Sequence, residues 1–205
     1  MIVKVCGIND LNNFQALSKL PVDILGMVFY PQSPRAVKPD DQNLARAISE
    51  IPVKKAGVFV DEDVNQIRKI AKAFKLTYVQ LHGNETPADC RVLKEEYEVI
   101  KAFKIGSEKD MKTIKEYDEV TDLFLFDTRG EQAGGTGVKF DWNLLKNFTL
   151  EKPYLLSGGI APEDAEQIKK LVLPGCIGVD INSRFEVYPG KKDISKVEYF
   201  ISKVK

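Results

Sequence analysis

Two residues that can move protons stand at the ends of apolar segments far apart in the chain. Cys6 ends the run 2–6, and Asp127 follows Leu123-Phe124-Leu125-Phe126. A thiol near a positive charge ionises more easily and can act as a base, and a carboxyl group beside an apolar strand can act as an acid. Lys4 would share a strand face with Cys6, and a buried lysine needs a carboxylate or an anionic ligand. These residues predict acid–base chemistry, although a core cysteine and a structural acid are simpler alternatives.

Glycine-rich turns form a second group of candidates. They are Gly134-Gly135-Thr136-Gly137 and Ser157-Gly158-Gly159, and Asn182-Ser183 closes a later apolar segment. Backbone N–H groups in such turns can bind a phosphate. The Gly-Lys-Ser/Thr ending of a nucleotide-binding P-loop and the GxGxxG dinucleotide fingerprint are both absent. The turns therefore indicate a small phosphorylated ligand, or ordinary turn chemistry.

Further polar residues stand where apolar segments end. Gln80 and His82 close one segment, Asp180 closes another, and Arg35 lies in the stiff sequence Pro31-Gln32-Ser33-Pro34-Arg35. The planar guanidinium of arginine suits a carboxylate, although a solvated surface arginine is the simpler reading.

The elements that must position these residues alternate along the whole chain. Eight β-rich segments are predicted at 2–6, 23–29, 55–60, 78–82, 99–104, 123–127, 154–157 and 177–181. Amphipathic helical segments lie between them, with start signals at Asp10, Pro39, Asp61 or Asp63, Thr86, Ser107, Asp141, Pro162, and Asp193 or Ser195. This alternation is typical of an α/β protein with a parallel sheet.

Eight strand–helix units in 205 residues predict a compact (β/α)8 TIM barrel that forms a single domain over residues 1–205. A doubly wound open sheet is the alternative. In a barrel the active site lies at the carboxyl ends of the strands, and the loops after strands 7 and 8 often bind phosphate. Strands 1 and 6 are three steps apart around the ring, so Cys6 and Asp127 would face each other across its mouth.

Composition excludes several classes of protein. The 30 basic and 30 acidic residues balance, whereas proteins of duplex nucleic acid usually carry a basic excess. One histidine and three scattered cysteines argue against a zinc site, and we expect no metal. The N-terminus does not resemble a signal peptide, and no apolar run approaches the roughly 20 residues of a membrane span. We therefore expect a cytoplasmic protein without nucleic-acid or membrane partners.

Taken together, several segments resemble the phosphoribosylanthranilate isomerase family of tryptophan biosynthesis. The segments are Lys4-Val5-Cys6-Gly7-Ile8, 29–35, Val79-Gln80-Leu81-His82-Gly83, Phe126-Asp127-Thr128, 134–137, 140–142, Leu156-Ser157-Gly158-Gly159 and 189–193. They span the chain in order. The combination is specific, although no single segment is.

The resemblance implies a cofactor-free barrel enzyme that performs an Amadori rearrangement of a phosphosugar. It implies Cys6 as general base, Asp127 as general acid and Arg35 as the ligand of the substrate carboxylate. The whole set expected to bind substrate is Lys4, Arg35, Gln80, His82, Gly135, Gly137, Ser157, Gly158, Gly159, Asp180, Asn182 and Ser183. Many members have Ser-Ser-Gly after strand 8, whereas this chain has Asn182-Ser183-Arg184, which leaves the local backbone and the role of Arg184 open.

Two other functions compete with this one. The first is another phosphosugar enzyme, either a metal-dependent epimerase, which would need more histidines, or a Schiff-base aldolase with Lys104 as its lysine. The second is a phosphate-ligand sensor on a barrel, which would tolerate loss of Cys6 and Asp127. The oligomeric state is open between monomer and homodimer.

Overall fold

Eight parallel strands form a closed barrel in the computed structural model, which describes residues 1–105, 113–128, 142, 145 and 152–205. The strands are β1 Ile2–Val5, β2 Ile24–Val28, β3 Lys54–Phe59, β4 Tyr78–Leu81, β5 Glu98–Ile105, β6 Leu123–Thr128, β7 Tyr154–Ser157 and β8 Cys176–Ile181. Each pairs with the next in chain order, and β8 closes onto β1. The predicted barrel is confirmed, and the open-sheet alternative is wrong.

Helices cover the outside of the barrel. They are α1 Leu11–Leu17, α2 Gln42–Ser49, α3 Val64–Phe74, α4 Pro87–Lys94, α5 Ala165–Lys170 and α6 Ile194–Val204. Capping oxygens begin several of them: Asp10, Asp63 and Asp193 each accept a backbone N–H of the first turn, and Thr86 forms a capping box with Asp89.

Two regions differ from the sequence prediction. The described end of the predicted fifth helix is a 3₁₀ helix, Ile114–Tyr117, and the predicted start at Ser107 and the short helix after Asp141 lie outside the described residues. A small antiparallel hairpin of β9 Glu186–Tyr188 and β10 Lys191–Lys192 follows β8 and was not predicted. Its strands are too short to give an alternating pattern.

The register of the barrel decides which side chains point inward. Lys4 on β1 pairs with Asp180 on β8, and Asp127 on β6 pairs with Ser157 on β7. Because alternate residues face opposite sides of a sheet, these residues share the inner face with an apolar layer further down the barrel. That layer contains Ile100, Ala102, Leu123, Leu125 and Leu155. The opposite faces of the same strands pack against the helices in the main core. The interior is therefore a packed core below a polar mouth.

Candidate active site

A cavity of about 310 Å³ opens at the carboxyl ends of the strands. Its lining residues are Cys6, Val28, Tyr30, Ser33, Val58, Val60, Gln80, His82, Asp127, Ser157, Gly158, Gly159, Ile160, Asp180, Asn182 and Ser183. They come from seven of the eight strands and the loops that follow them, so only the closed barrel brings them together.

Cys6 lies on the β1 side of this cavity and is 3% exposed. Its backbone N–H donates to the carbonyl of Ile181 at 2.9 Å, which fixes the end of β1 against β8. Below it, the fully buried Lys4 ammonium donates to Asp180 Oδ1 at 2.9 Å. Burial raises the pKa of the Cys6 thiol, the Lys4 ammonium opposes that rise by favouring the thiolate, and Asp180 adds to it.

The Lys4 ammonium is held in its charged form. Burial by itself lowers the pKa of Lys4, but the adjacent Asp180 carboxylate and Cys6 outweigh burial and leave the pKa raised. Lys4 is not among the residues that line the cavity. The structure therefore places this expected substrate ligand behind Cys6, where it acts on the thiol.

Gly7 must be glycine for two reasons. Its φ is +76°, in the left-handed region that side chains disfavour. A Cβ there would also lie 2.6 Å from Asn182 Oδ1 and 2.7 Å from Arg35 Cδ. The missing side chain lets the β2 and β8 loops approach the end of β1.

Arg35 lies in the loop after β2, against Gly7, and is held by an ion pair that the sequence did not predict. Its Nε and Nη2 donate to the two carboxylate oxygens of Glu186 at 2.8 and 2.6 Å, and these hydrogen bonds raise the pKa of Arg35. Glu186 Oε1 also accepts from the buried Lys192 at 2.7 Å, and Lys192 donates to Asn182 Oδ1 at 2.6 Å. The β9–β10 hairpin thus fixes the β2 and β8 loops.

The charges of Arg35, Glu186 and Lys192 compensate one another. Burial raises the pKa of Glu186, but donors from Arg35 and Lys192 and the Gly190 N–H outweigh it, so the pKa is lowered. Burial lowers the pKa of Lys192, with Glu186 opposing. Glu186 and Lys192 were missed because their partners lie far away in the chain and no local pattern marks the contact.

On the β4 and β6 side, three polar side chains line the wall. Gln80 Nε2 lies 3.1 Å from His82 Nδ1, and His82 Nε2 lies 3.4 Å from Asp127 Oδ2. The Asp127 side chain is 34% exposed, so it is open to a molecule in the cavity. Asp127 lies on β6, three strands from β1 around the ring, as the sequence predicted from chain order.

A buried ion pair holds the loop that follows His82. Glu85 accepts the Gly83 N–H at 2.9 Å and the Asp61 N–H at 2.9 Å, and it pairs with Lys101 at 2.8 Å. Lys101 also donates to the Gly83 carbonyl at 2.8 Å. The loops after β3 and β4 are thereby fixed to β5, which stabilises the backbone that carries His82.

The loops after β7 and β8 complete the cavity. Ser157 Oγ contacts Asp180 Oδ2 at 3.5 Å, and Gly158 and Gly159 have φ values of +94° and +68°. No atom lies within 4 Å of a Cβ built on Gly159, so glycine is needed there for conformation alone. Asn182 and Ser183 lie beside these glycines in the lining. The two loops place consecutive backbone amides at one end of the mouth.

Of the residues expected from the sequence, ten line the cavity: Cys6, Gln80, His82, Asp127, Ser157, Gly158, Gly159, Asp180, Asn182 and Ser183. Lys4 and Arg35 are not among the lining residues, and Gly135 and Gly137 lie outside the described residues. Tyr30 and Ser33, which the sequence prediction did not include in the site, also line it. Lys104, the lysine that an aldolase would use, is exposed and is not among the lining residues. Within the described ranges, no three His, Cys, Asp or Glu residues cluster as metal ligands.

No helix in the described part of the chain is both long enough and apolar enough to span a membrane.

Comparison with known proteins agrees with the sequence resemblance. The model of the N-(5′-phosphoribosyl)anthranilate isomerase family matches residues 3–203. The protein of that name from Parabacteroides distasonis is 44% identical over 207 residues, which cover 100% of this chain and 93% of the relative.

Solved structures agree with this assignment. One is of monomers derived from the dimeric phosphoribosylanthranilate isomerase of Thermotoga maritima, with a TM-score of 0.83, 34% identity and coverage of 100% of this chain and 98% of that one. Another phosphoribosylanthranilate isomerase, in complex with reduced 1-(o-carboxyphenylamino)-1-deoxyribulose 5-phosphate, has a TM-score of 0.83, 35% identity and the same coverage. The fold, the site and the length of these matches together show that this chain belongs to the N-(5′-phosphoribosyl)anthranilate isomerase family.

Proposed function

We propose that this chain converts N-(5′-phosphoribosyl)anthranilate into 1-(2-carboxyphenylamino)-1-deoxyribulose 5-phosphate, with Cys6 as general base and Asp127 as general acid. One observation carries the assignment of roles: a thiol and a carboxyl group from β1 and β6 line the same cavity, together with the loops after β7 and β8. The reaction is an isomerisation without net redox change, so we propose that it needs no cofactor.

Ring opening is the step assigned to Asp127. Its O–H bond breaks as the proton passes to the furanose ring oxygen, the bond from that oxygen to C1′ breaks, and the anthranilate nitrogen supplies electrons to form a protonated Schiff base. The partial exposure of Asp127 at the cavity wall supports this role, because an acid must reach the atom that it protonates.

Proton abstraction is the step assigned to Cys6. The thiolate removes the proton from C2′, the electron pair forms a C1′–C2′ double bond, and the Schiff-base nitrogen becomes neutral. The resulting enolamine tautomerises to the ketone, so the product is an isomer of the substrate. Burial leaves the pKa of Cys6 raised, and the buried Lys4 ammonium supports this role because it is the largest influence that favours the thiolate.

The anchors proposed for the two ends of the substrate lie on different loops. Backbone amides of Gly158, Gly159 and Ser183 would hold the phosphate, a recurrent arrangement in barrels, and Gly135 and Gly137 are proposed for the same end. Arg35 would hold the carboxylate with the edge of its guanidinium that Glu186 does not use. Fixing both ends lowers the entropy cost of aligning the sugar with the acid and base.

The test follows the fluorescence of phosphoribosylanthranilate generated in the cuvette. We expect the wild type to consume it, and Cys6→Ser and Asp127→Asn each to lose roughly 10²- to 10⁴-fold in kcat. Cys176→Ser and Asp40→Asn change the same residue types away from the cavity and should retain activity. A wild type without turnover would refute the function, and a fully active Cys6→Ser or Asp127→Asn variant would refute that residue's role.

The same assay separates an isomerase from a phosphate-ligand sensor, the alternative that the sequence alone left open. A sensor would bind the phosphosugar without consuming it, and it would bind equally well after Cys6→Ser.

We also propose that the chain is cytoplasmic and acts as a monomer or homodimer, without nucleic-acid or membrane partners. Sedimentation at several concentrations distinguishes the two oligomeric states.

A further inference from the structure

Gln80 and His82 form a chain of contacts that ends on the proposed acid. They are two residues apart at the end of β4, so their side chains share the inner face of the barrel. Gln80 is 1% exposed, and its Nε2 lies 3.1 Å from His82 Nδ1. On the other side of the imidazole, His82 Nε2 lies 3.4 Å from Asp127 Oδ2.

The orientation of the Gln80 amide sets which nitrogen of a neutral His82 ring carries the proton. The amide nitrogen faces Nδ1 and can only donate, so Nδ1 accepts. A neutral imidazole has one N–H, which must then be on Nε2 and face Asp127. The other end of the amide, Gln80 Oε1, is buried without a hydrogen-bond partner in the described part of the chain. Among the described residues, His82 is the hydrogen-bond partner of this buried amide.

We propose that Gln80 and His82 are positioning residues for the general acid: Gln80 keeps the His82 proton on Nε2, and that N–H stabilises the carboxylate formed when Asp127 gives up its proton. This inference rests on the proposed function. The contact reaches Oδ2 and leaves Oδ1 for the proton that is transferred. A general acid is neutral before it gives up its proton and anionic afterwards, so a hydrogen bond from His82 Nε2 to Asp127 would stabilise the state that follows transfer more than the state that precedes it.

The distances suit a contact that tightens during catalysis. At 3.4 Å the gap between His82 and Asp127 exceeds the usual 2.7–3.2 Å of an N–H···O bond, and hydrogen bonds of this kind often shorten only in the reacting complex. The backbone of His82 is already fixed, since its N–H donates to the Phe59 carbonyl at 2.9 Å. Movement and reorientation of the two side chains would therefore close the gap.

Two substitutions of Gln80 test the inference. Gln80→Glu keeps the shape but offers only acceptors, so it should draw the His82 proton to Nδ1. Gln80→Met removes the donor, so both neutral forms of the imidazole become populated. We expect kcat to fall about tenfold or more in each variant, with KM changed less than about threefold, because the acid and not substrate binding is affected. Gln15→Glu and Gln15→Met on the exposed face of α1 are the matched controls.

His82 is the single histidine of the chain, so a direct spectroscopic readout is available. In protein labelled with ¹⁵N-histidine and made without an affinity tag, every imidazole signal belongs to His82. The neutral ring of the wild type should carry its proton on Nε2, Gln80→Glu should move it, and the Gln15 variants should not. This measurement on the wild type needs no altered protein and no substrate.

The outcomes separate the positioning role from the proposed function. A neutral wild-type ring with its proton on Nδ1, or folded Gln80 variants with unchanged kcat, would overturn the positioning role. A fall in kcat without any change in the imidazole signals would also overturn it, since that result indicates a merely structural effect. A wild type without turnover refutes the proposed function and this inference together, whereas turnover with the wrong imidazole form refutes the inference alone.

Discussion

Replacing Lys4 by methionine removes the cation nearest to the proposed base while keeping a side chain of similar length. Lys4 is fully buried, and its Nζ lies 2.9 Å from Asp180 Oδ1. In the Lys4→Met variant the thiolate would form beside the Asp180 carboxylate, and the buried cation that remains, Lys192, has a smaller influence on Cys6. Burial and Asp180 both raise the pKa of Cys6, and Lys4 is the largest opposing influence.

The size of the effect follows from the loss of one adjacent opposite charge. Such a charge moves a pKa by roughly one to three units, so below the pKa the thiolate fraction falls about 10- to 1000-fold. The rate constant kcat/KM should fall by the same factor at neutral pH, and the rise of kcat/KM with pH should move to higher pH. Asp180→Asn removes a negative charge instead, so it should move that rise to lower pH.

The assay is the pH profile of kcat/KM for the wild type and both single variants. The rate of Cys6 alkylation, located by mass spectrometry, gives a second profile that needs no substrate. Removing one partner of a buried ion pair typically costs about 3–5 kcal/mol, so Lys4→Met can fold poorly. The double variant Lys4→Met/Asp180→Asn removes both charges, and it should fold better with a profile between those of the single variants. Shifts in the same direction for both single variants, or no shift in a folded Lys4→Met, would refute the reasoning.

Three further predictions follow from the ion pairs around the site. Arg35→Lys loses the two-pronged contact with Glu186, so KM should rise about 10- to 100-fold in steady-state assays while kcat changes little; an unchanged KM would contradict the role of Arg35. Lys101→Met leaves the Glu85 carboxylate buried without its cation, so urea denaturation should show a loss of about 3–5 kcal/mol, and adding Glu85→Gln should restore part of it. Glu186 has a lowered pKa in the folded chain, so it stabilises the protein above about pH 4–5, and that stability is lost as pH falls through the lowered pKa. Thermal melts of Glu186→Gln should therefore differ most from the wild type near neutral pH and converge in acid; a constant difference would contradict the assignment.

Much of the barrel is readable from local sequence. The predicted segment 154–157 coincides with β7, and the ends of the other seven predicted strands differ from the observed ends by at most one residue. Apolar runs of this length must be buried on both faces, and a capping oxygen marks a helix start, so both signals act within a few residues. The β9–β10 hairpin was missed because the contacts of Glu186 and Lys192, and not a local pattern, define it.

The same distinction between local patterns and long-range contacts applies to the candidate site. Cys6 and Asp127 were identified as candidates because each ends an apolar strand, and their presence in one cavity follows from the order of strands in a closed ring. Lys4 and Arg35 were also identified, but the sequence alone could not name their partners. Lys4 binds Asp180, which is 176 residues away, and Arg35 binds Glu186, which is 151 residues away.

The sequence by itself therefore determined the alternation of eight strands with helices, the family and the residue types that can move protons. Only the tertiary structure decided that Lys4 lies behind Cys6, that Glu186 holds Arg35, and that Gln80 presents its amide to His82. The physical reason is that propensity and patterning act over a few residues, whereas ion pairs and hydrogen bonds depend on barrel register and loop approach. Those are fixed only when the last strand closes onto the first.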